Sequence, residues 1–104
     1  MVQEMTTFHI MVNDEYARNS RMIDAYENEI SKLPKGSLQF KSNGHYYLSY
    51  RNEEGMVVTQ YVKDSEIDEL RKLIEQRKAI ENTIKKLIAE RKEIEHALKF
   101  SKWR

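Results

Sequence analysis

The chain contains no cysteine, a single proline and three glycines in 104 residues. Without thiols, neither a disulfide framework nor a thiolate metal site can hold a small core together, and a reducing compartment is permitted. So few turn-forming residues push most of the chain into long regular elements. Long apolar runs are missing too. The longest near the start is Ile10-Met11-Val12, too short for a signal peptide, and nothing approaches the ~20 apolar residues of a membrane span. The expectation is a soluble, cytoplasmic protein without a membrane partner. Net charge is also nearly absent: 18 basic residues face 17 acidic ones, leaving +1, although 34% of residues are charged and the mean hydropathy is -0.80. This balance argues against a generic duplex-DNA binder, which is usually strongly basic, and against an acidic nucleic-acid mimic. The length fits a single domain over 1–104.

The one proline punctuates what is present. Leu33-Pro34-Lys35-Gly36 is a stop signal, because proline disfavours a helical residue before it and cannot donate to the preceding turn. Upstream, Tyr16, Ile23 and Ile30 recur at sevens, with Tyr26 and Leu33 three residues after the last two. That stripe predicts a helix over 13–33, capped by Asn13 or Asp14. Residues 1–12 read two ways. Met1, Met5, Phe8 and Val12 continue a helical face, whereas Thr6 to Val12 is rich in β-formers. Helix is the favoured expectation, an arm the alternative.

Between Ser37 and Lys63 the period falls to two. Ser37–Lys41, His45–Arg51 and Met56–Val62 read as three strands of an antiparallel β-meander over 37–62. Three-residue loops with Gly44 and Gly55 in the left-handed position pair Phe40 with Tyr46, Leu38 with Leu48, Tyr50 with Val58 and Tyr46 with Val62. One face then gathers Leu38, Phe40, Tyr46, Leu48, Tyr50, Met56, Val58 and Val62, and a one-residue slip scatters that set. The opposite face carries Gln39, Lys41, His45, Tyr47, Ser49, Arg51, Thr59 and Tyr61.

Asp64-Ser65 opens a long helix over 65–99, with Ser65 as cap and Glu66, Asp68 and Glu69 at the positive end of the dipole. Its ~35 residues span about 52 Å, against about 30 Å for the first helix. The overhang therefore asks for cover from residues 1–12, a second copy or another protein. Leu73, Ile80, Leu87 and Ile94 recur at sevens, and the companion seam reads Leu70, Arg77, Ile84, Arg91 and Leu98. This coiled-coil-like pattern makes an oligomer or partner seam, and a homodimer, plausible. Ile67, Ile74 and Ile88 widen it beyond a two-stranded zipper. The two seam arginines fit stems that pack while their heads reach a carboxylate such as Glu81 or Glu95. They also fit a register-fixing role in an oligomer, or direct partner contact. Arg71, Lys78, Lys85, Lys92 and Lys99 form a basic line at sevens. Such a line can follow phosphates, but interleaved Glu75, Glu81, Glu90, Glu93 and Glu95 make a solvated face the plainer reading. The tail, 100–104, adds Phe100 and Trp103 among bases.

No catalytic constellation emerges. His9, His45 and His96 lie on three elements without metal-ligand spacing, the glycines stand singly rather than in a phosphate loop, and no nucleophile–base set is readable. The expectation is no enzyme, no cofactor and no metal. The better candidate site is the outer sheet face, where Lys41, His45, Tyr47, Arg51 and Tyr61 have the composition of an interface hot spot. The same set suits stacking on single-stranded nucleic acid. The third possibility is that the long helix or the N-terminal arm covers this face and the tyrosine pair is core.

The segments Leu33-Pro34-x-Gly36-Ser37-Leu38, Gly44-His45-Tyr46-Tyr47-Leu48-Ser49-Tyr50-Arg51 and Tyr61-Val62 resemble those of a loose group of small bacterial, archaeal and mobile-element proteins. In these a helix ending in L-P-x-G precedes a Tyr-rich meander and a Lys/Glu-rich helix. The likeness covers roughly residues 26–99. Several of these proteins carry Cys pairs beside the hairpin; none is present here, so no metal role is carried over. The resemblance implies a phage or mobile-element accessory protein, a setting rich in small inhibitors of host defence such as anti-CRISPR proteins. The combined expectation is a non-enzymatic α+β interaction module that binds and blocks a larger partner, for example a host defence nuclease. The alternative is an RNA or single-stranded DNA binder using the outer sheet face and the lysine line.

Overall fold

A computed structural model describes residues 7–101, with side chains as far as Lys99. The chain runs α1 (Thr7–Ile30), β1 (Ser37–Phe40), β2 (Tyr46–Arg51), β3 (Val57–Val62), a 3-10 turn (Asp64–Glu66) and α2 (Ile67–Ser101). This is the α+β order expected: an N-terminal helix, an antiparallel meander in the order β1-β2-β3 and a long C-terminal helix.

Two turns fix the sheet register. At the first, the Gly44 N–H donates to the Lys41 carbonyl and the Lys41 N–H to that of His45, both at 2.9 Å. Gly44 has φ +84°, a conformation that costs residues with a Cβ about 1–2 kcal/mol. The second turn repeats the construction between Asn52, Gly55 and Met56. The expected pairs follow: Phe40 with Tyr46, Leu38 with Leu48, Tyr50 with Val58 and Tyr46 with Val62. Gln60 stands opposite Leu48, so one polar side chain shares the inner face.

The chain divides into two compact units, Ile30–Ile80 and Met1–Glu29 with Glu81–Arg104. In the first, Leu48, Val62 and Ile74 form a buried cluster against which Leu38, Tyr46, Tyr50, Ile67 and Leu70 pack. Each fully buried aliphatic side chain contributes about 1.5–3 kcal/mol, so these few residues hold α2 to the inner face. Phe40 and Met56, at the ends of that face, remain exposed. Arg77 closes the C-terminal end of α1: its Nη1 donates to the carbonyls of Ile30 at 2.9 Å and Leu33 at 2.8 Å. The last carbonyls of a helix lack intrahelical donors, and a cation there also meets the negative end of the dipole.

In the second unit, buried Ile23 and Leu87 accompany Asn19, which is 0% exposed. Asn19 Nδ2 donates to the Leu87 carbonyl at 2.8 Å. Arg91 donates through Nε to Asn19 Oδ1 at 3.1 Å and through Nη2 to Ser20 Oγ at 2.8 Å. Its guanidinium also lies 5.5 Å from the Tyr16 ring centre. At the surface, Arg18 bridges Glu15 at 2.9 Å and Glu90 at 3.1 Å. Its hydrogen bond to Glu15 raises the affinity of an already basic group for its proton, but exposed pairs of this kind add little stability.

Three sequence expectations are corrected. The first helix starts by Thr7, so Asn13 is not its cap; the Asn13 Nδ2 donates to the His9 carbonyl one turn back, inside the helix. It ends at Ile30, because Leu33 precedes proline and its N–H closes a turn onto the Ile30 carbonyl at 3.1 Å. Ser65 does not cap α2 either. It sits within a 3-10 turn whose N-cap position is Lys63, without a side-chain cap, and α2 proper begins at Ile67. Expectations for 1–6 and for the tail side chains fall outside the described residues.

Candidate functional site

The outer sheet face is assembled by the same turns. Because Tyr47 stands opposite Tyr61 and Gln39 opposite Tyr47, the period-two alternation places these residues on one side. The Tyr47 and Tyr61 rings meet edge to face, 5.9 Å apart with planes at 71°. His45 meets Tyr61 in the same manner at 5.4 Å and 76°. Lys41 Nζ lies 4.7 Å from the centre of the Tyr47 ring, a cation–π contact worth about 0.5–1 kcal/mol at an exposed site. Asn43, in the turn, accepts the His45 N–H at 3.1 Å and donates its Nδ2 to the Tyr47 hydroxyl at 2.8 Å. Lys41, His45 and Arg51 are exposed, Tyr47 is half-buried among its neighbours, and Tyr61 is 54% exposed.

The structure therefore brings Lys41, His45, Tyr47 and Tyr61 into one cluster. Arg51 stands at the far end of β2, where its Nη1 donates to the Gly55 carbonyl at 2.7 Å. The α2 residues Ile67, Leu70 and Ile74 lie against the inner face. Asn43 belongs to the site and was missed in the sequence, where Asn43-Gly44 reads as turn chemistry alone. Val57 was missed as well: it stands opposite Arg51 and is 58% exposed. Its signal was its place one residue out of step with the inner set.

The α2 seam is used within the chain's own units. Ile80 and Leu87 are buried, and Leu73, Arg77, Ile84, Arg91, Ile94 and Leu98 are partly buried. Arg77 and Arg91 hold backbone carbonyls, Asn19 and Ser20, as described above. Arg71, Lys78, Lys85, Lys92 and Lys99 are all exposed. Arg71 also lies 5.8 Å from the Tyr46 ring centre and 3.9 Å from Asp68.

Two open clefts lie among the described residues. One, about 300 Å³, exposes almost only apolar surface; Glu15, Glu90 and Glu93 line it together with Phe8, Met11 and Ile94. The other, about 490 Å³, lies among Leu33, Pro34, Leu48, Tyr50, Gln60 and Arg77. Among the described residues no group of three or more His, Asp or Glu is placed to hold a metal ion, and no helix is long and apolar enough to cross a membrane. Comparison with known protein families, with curated proteins and with solved structures finds no match.

Proposed function

We propose that the chain is a non-enzymatic interaction module that docks a protein partner on the Lys41/His45/Tyr47/Tyr61 face. The observation that carries this reading is the interlocked aromatic cluster itself. The rings of His45, Tyr47 and Tyr61 brace one another edge to face, and Asn43 holds the Tyr47 hydroxyl. A surface ordered before binding loses little side-chain entropy on contact, and tyrosine is among the residues enriched at the energetic centre of protein interfaces.

Stacking on single strands asks instead for free, roughly parallel ring faces. Here the planes are tilted by more than 70°, and one face of Tyr47 carries the Lys41 ammonium. Protein docking is therefore favoured over nucleic-acid binding, which is kept alive by the five exposed bases at sevens on α2. The resemblance to mobile-element accessory proteins supports one kind of partner in particular, a host defence nuclease that this chain binds and blocks.

The test is affinity capture from a bacterial host with the intact chain and with Tyr61→Ala, before and after nuclease treatment. A protein retained through nuclease treatment and lost with Tyr61→Ala is the expected result. Capture that disappears with nuclease would transfer the face to nucleic acid.

A further inference from the structure

We infer that the open edge of β3 pairs with the same edge of a second copy, extending the three-stranded sheet to six strands across a twofold axis. The backbone supplies the reason. At the turn the Asn52 N–H donates to the Met56 carbonyl and the Met56 N–H to Asn52 Oδ1, so this pair stands in a bonded position, and bonded and non-bonded positions alternate along an antiparallel ladder. Tyr50–Val58, Leu48–Gln60 and Tyr46–Val62 are therefore bonded pairs, while Val57, Thr59 and Tyr61 direct their N–H and C=O groups to the outer side of β3. No other described element donates to or accepts from those groups.

That edge is self-complementary. A twofold axis at Thr59 sets Thr59 against its own copy and Val57 against Tyr61 of the second copy, so each outward group of the three residues finds a partner. The neutral threonine matters, since a charged residue on the axis would meet itself. Val57 and Tyr61, 58% and 54% exposed in the single chain, become cross-strand pairs of the β-branched–aromatic type that stabilises sheets. Natural edges are ordinarily protected by a charge, a proline or a bulge, and Val57–Val62 contains no charge and no proline. The opposite edge, β1, is only four residues long. A strand pair of this length buries less than the ~1,200 Å² of a standard stable interface, the size class of weak, transient association. Its consequence would be two His45/Tyr47/Tyr61 clusters on one continuous face.

Sedimentation of the intact chain between about 1 μM and about 1 mM spans the relevant affinities. The expected result is a reversible dimer that Thr59→Lys, which sets like charges on the axis, weakens at least tenfold. Thr59→Pro should do the same with the sheet retained by circular dichroism, because the N–H it removes points away from β2. A monomer throughout that range would overturn the inference. So would a dimer that survives Thr59→Lys and is broken instead by Ile88→Glu on α2. Neither outcome involves the partner, so the docking proposal stands or falls separately.

Discussion

Arg91 reaches from α2 to the buried side chain of Asn19 on α1, Nε to Oδ1 at 3.1 Å, while Asn19 donates in turn to the Leu87 carbonyl at 2.8 Å. One asparagine thus ties a seam arginine and the α2 backbone to the same point of α1. Removing it leaves a partly buried guanidinium short of an acceptor, and such losses cost about 1–3 kcal/mol. Asn19→Ala should lower stability by that amount in urea unfolding. A double-mutant cycle with Arg91→Met should return a coupling energy of about 0.5 kcal/mol or more; additive losses would mean that the pair is incidental.

Arg77 has a different task at the end of α1. Its bonds to the Ile30 and Leu33 carbonyls involve a charged donor, a class worth about 1.5–3 kcal/mol. Arg77→Met should destabilise the chain within that range and speed hydrogen exchange in the last turn of α1. Both bonds come from the single nitrogen Nη1; Arg77→Lys should recover only part, since the ammonium is the more strongly hydrated cation and costs more to hold in a partly buried place.

Gly36 is the position least tolerant of a side chain. It has φ +113°, and an added Cβ would overlap the Ser49 carbonyl oxygen and come within 2.9 Å of the Tyr50 Cβ. Backbone strain and overlap together predict a loss of about 3 kcal/mol or more for Gly36→Ala. Gly44→Ala, where nothing lies within 4 Å, should cost only about 1–2 kcal/mol, the backbone penalty alone. Thermal unfolding of the two variants checks the contrast.

The exposed bases and the tyrosine face make opposite demands on the functional reading. Lys78→Glu with Lys85→Glu alters only exposed side chains, so folding should be unchanged and the protein partner retained. Tyr61→Ala should keep the fold, because Tyr61 lies outside the Leu48/Val62/Ile74 cluster, yet lose the partner. Binding assays on the three proteins, with circular dichroism as control, separate the possibilities.

The meander was legible because its signals are local. Two single glycines at turns and a period of two leave one register that gathers the apolar set, and Leu38–Leu48 and Tyr46–Val62 pair as that register requires. The helix starts were less legible. Asn13 resembles a cap because its amide favours local backbone bonds, and in the structure it makes one, to His9, within the helix. The roles of Arg77 and Arg91 were hidden for another reason: their acceptors lie 44 to 72 positions away in the chain. Spacing marked both as exceptions in an apolar seam but could not name the groups they meet. Asn19 carried a faint signal, a polar residue on the helical face between Tyr16 and Ile23. In the outer face, the composition of the cluster was readable, whereas the tilt of its rings and the Lys41–Tyr47 contact required coordinates.

The salt dependence of partner binding tests the central claim most directly. A protein docked on the His45/Tyr47/Tyr61 cluster should change in affinity by less than about tenfold between 50 and 200 mM salt, as measured by calorimetry on the captured partner. A phosphate-following ligand making several contacts would instead lose about 10³-fold or more over that interval. A steep slope, abolished by Lys78→Glu with Lys85→Glu and indifferent to Tyr61→Ala, would contradict the assignment of function to the tyrosine face.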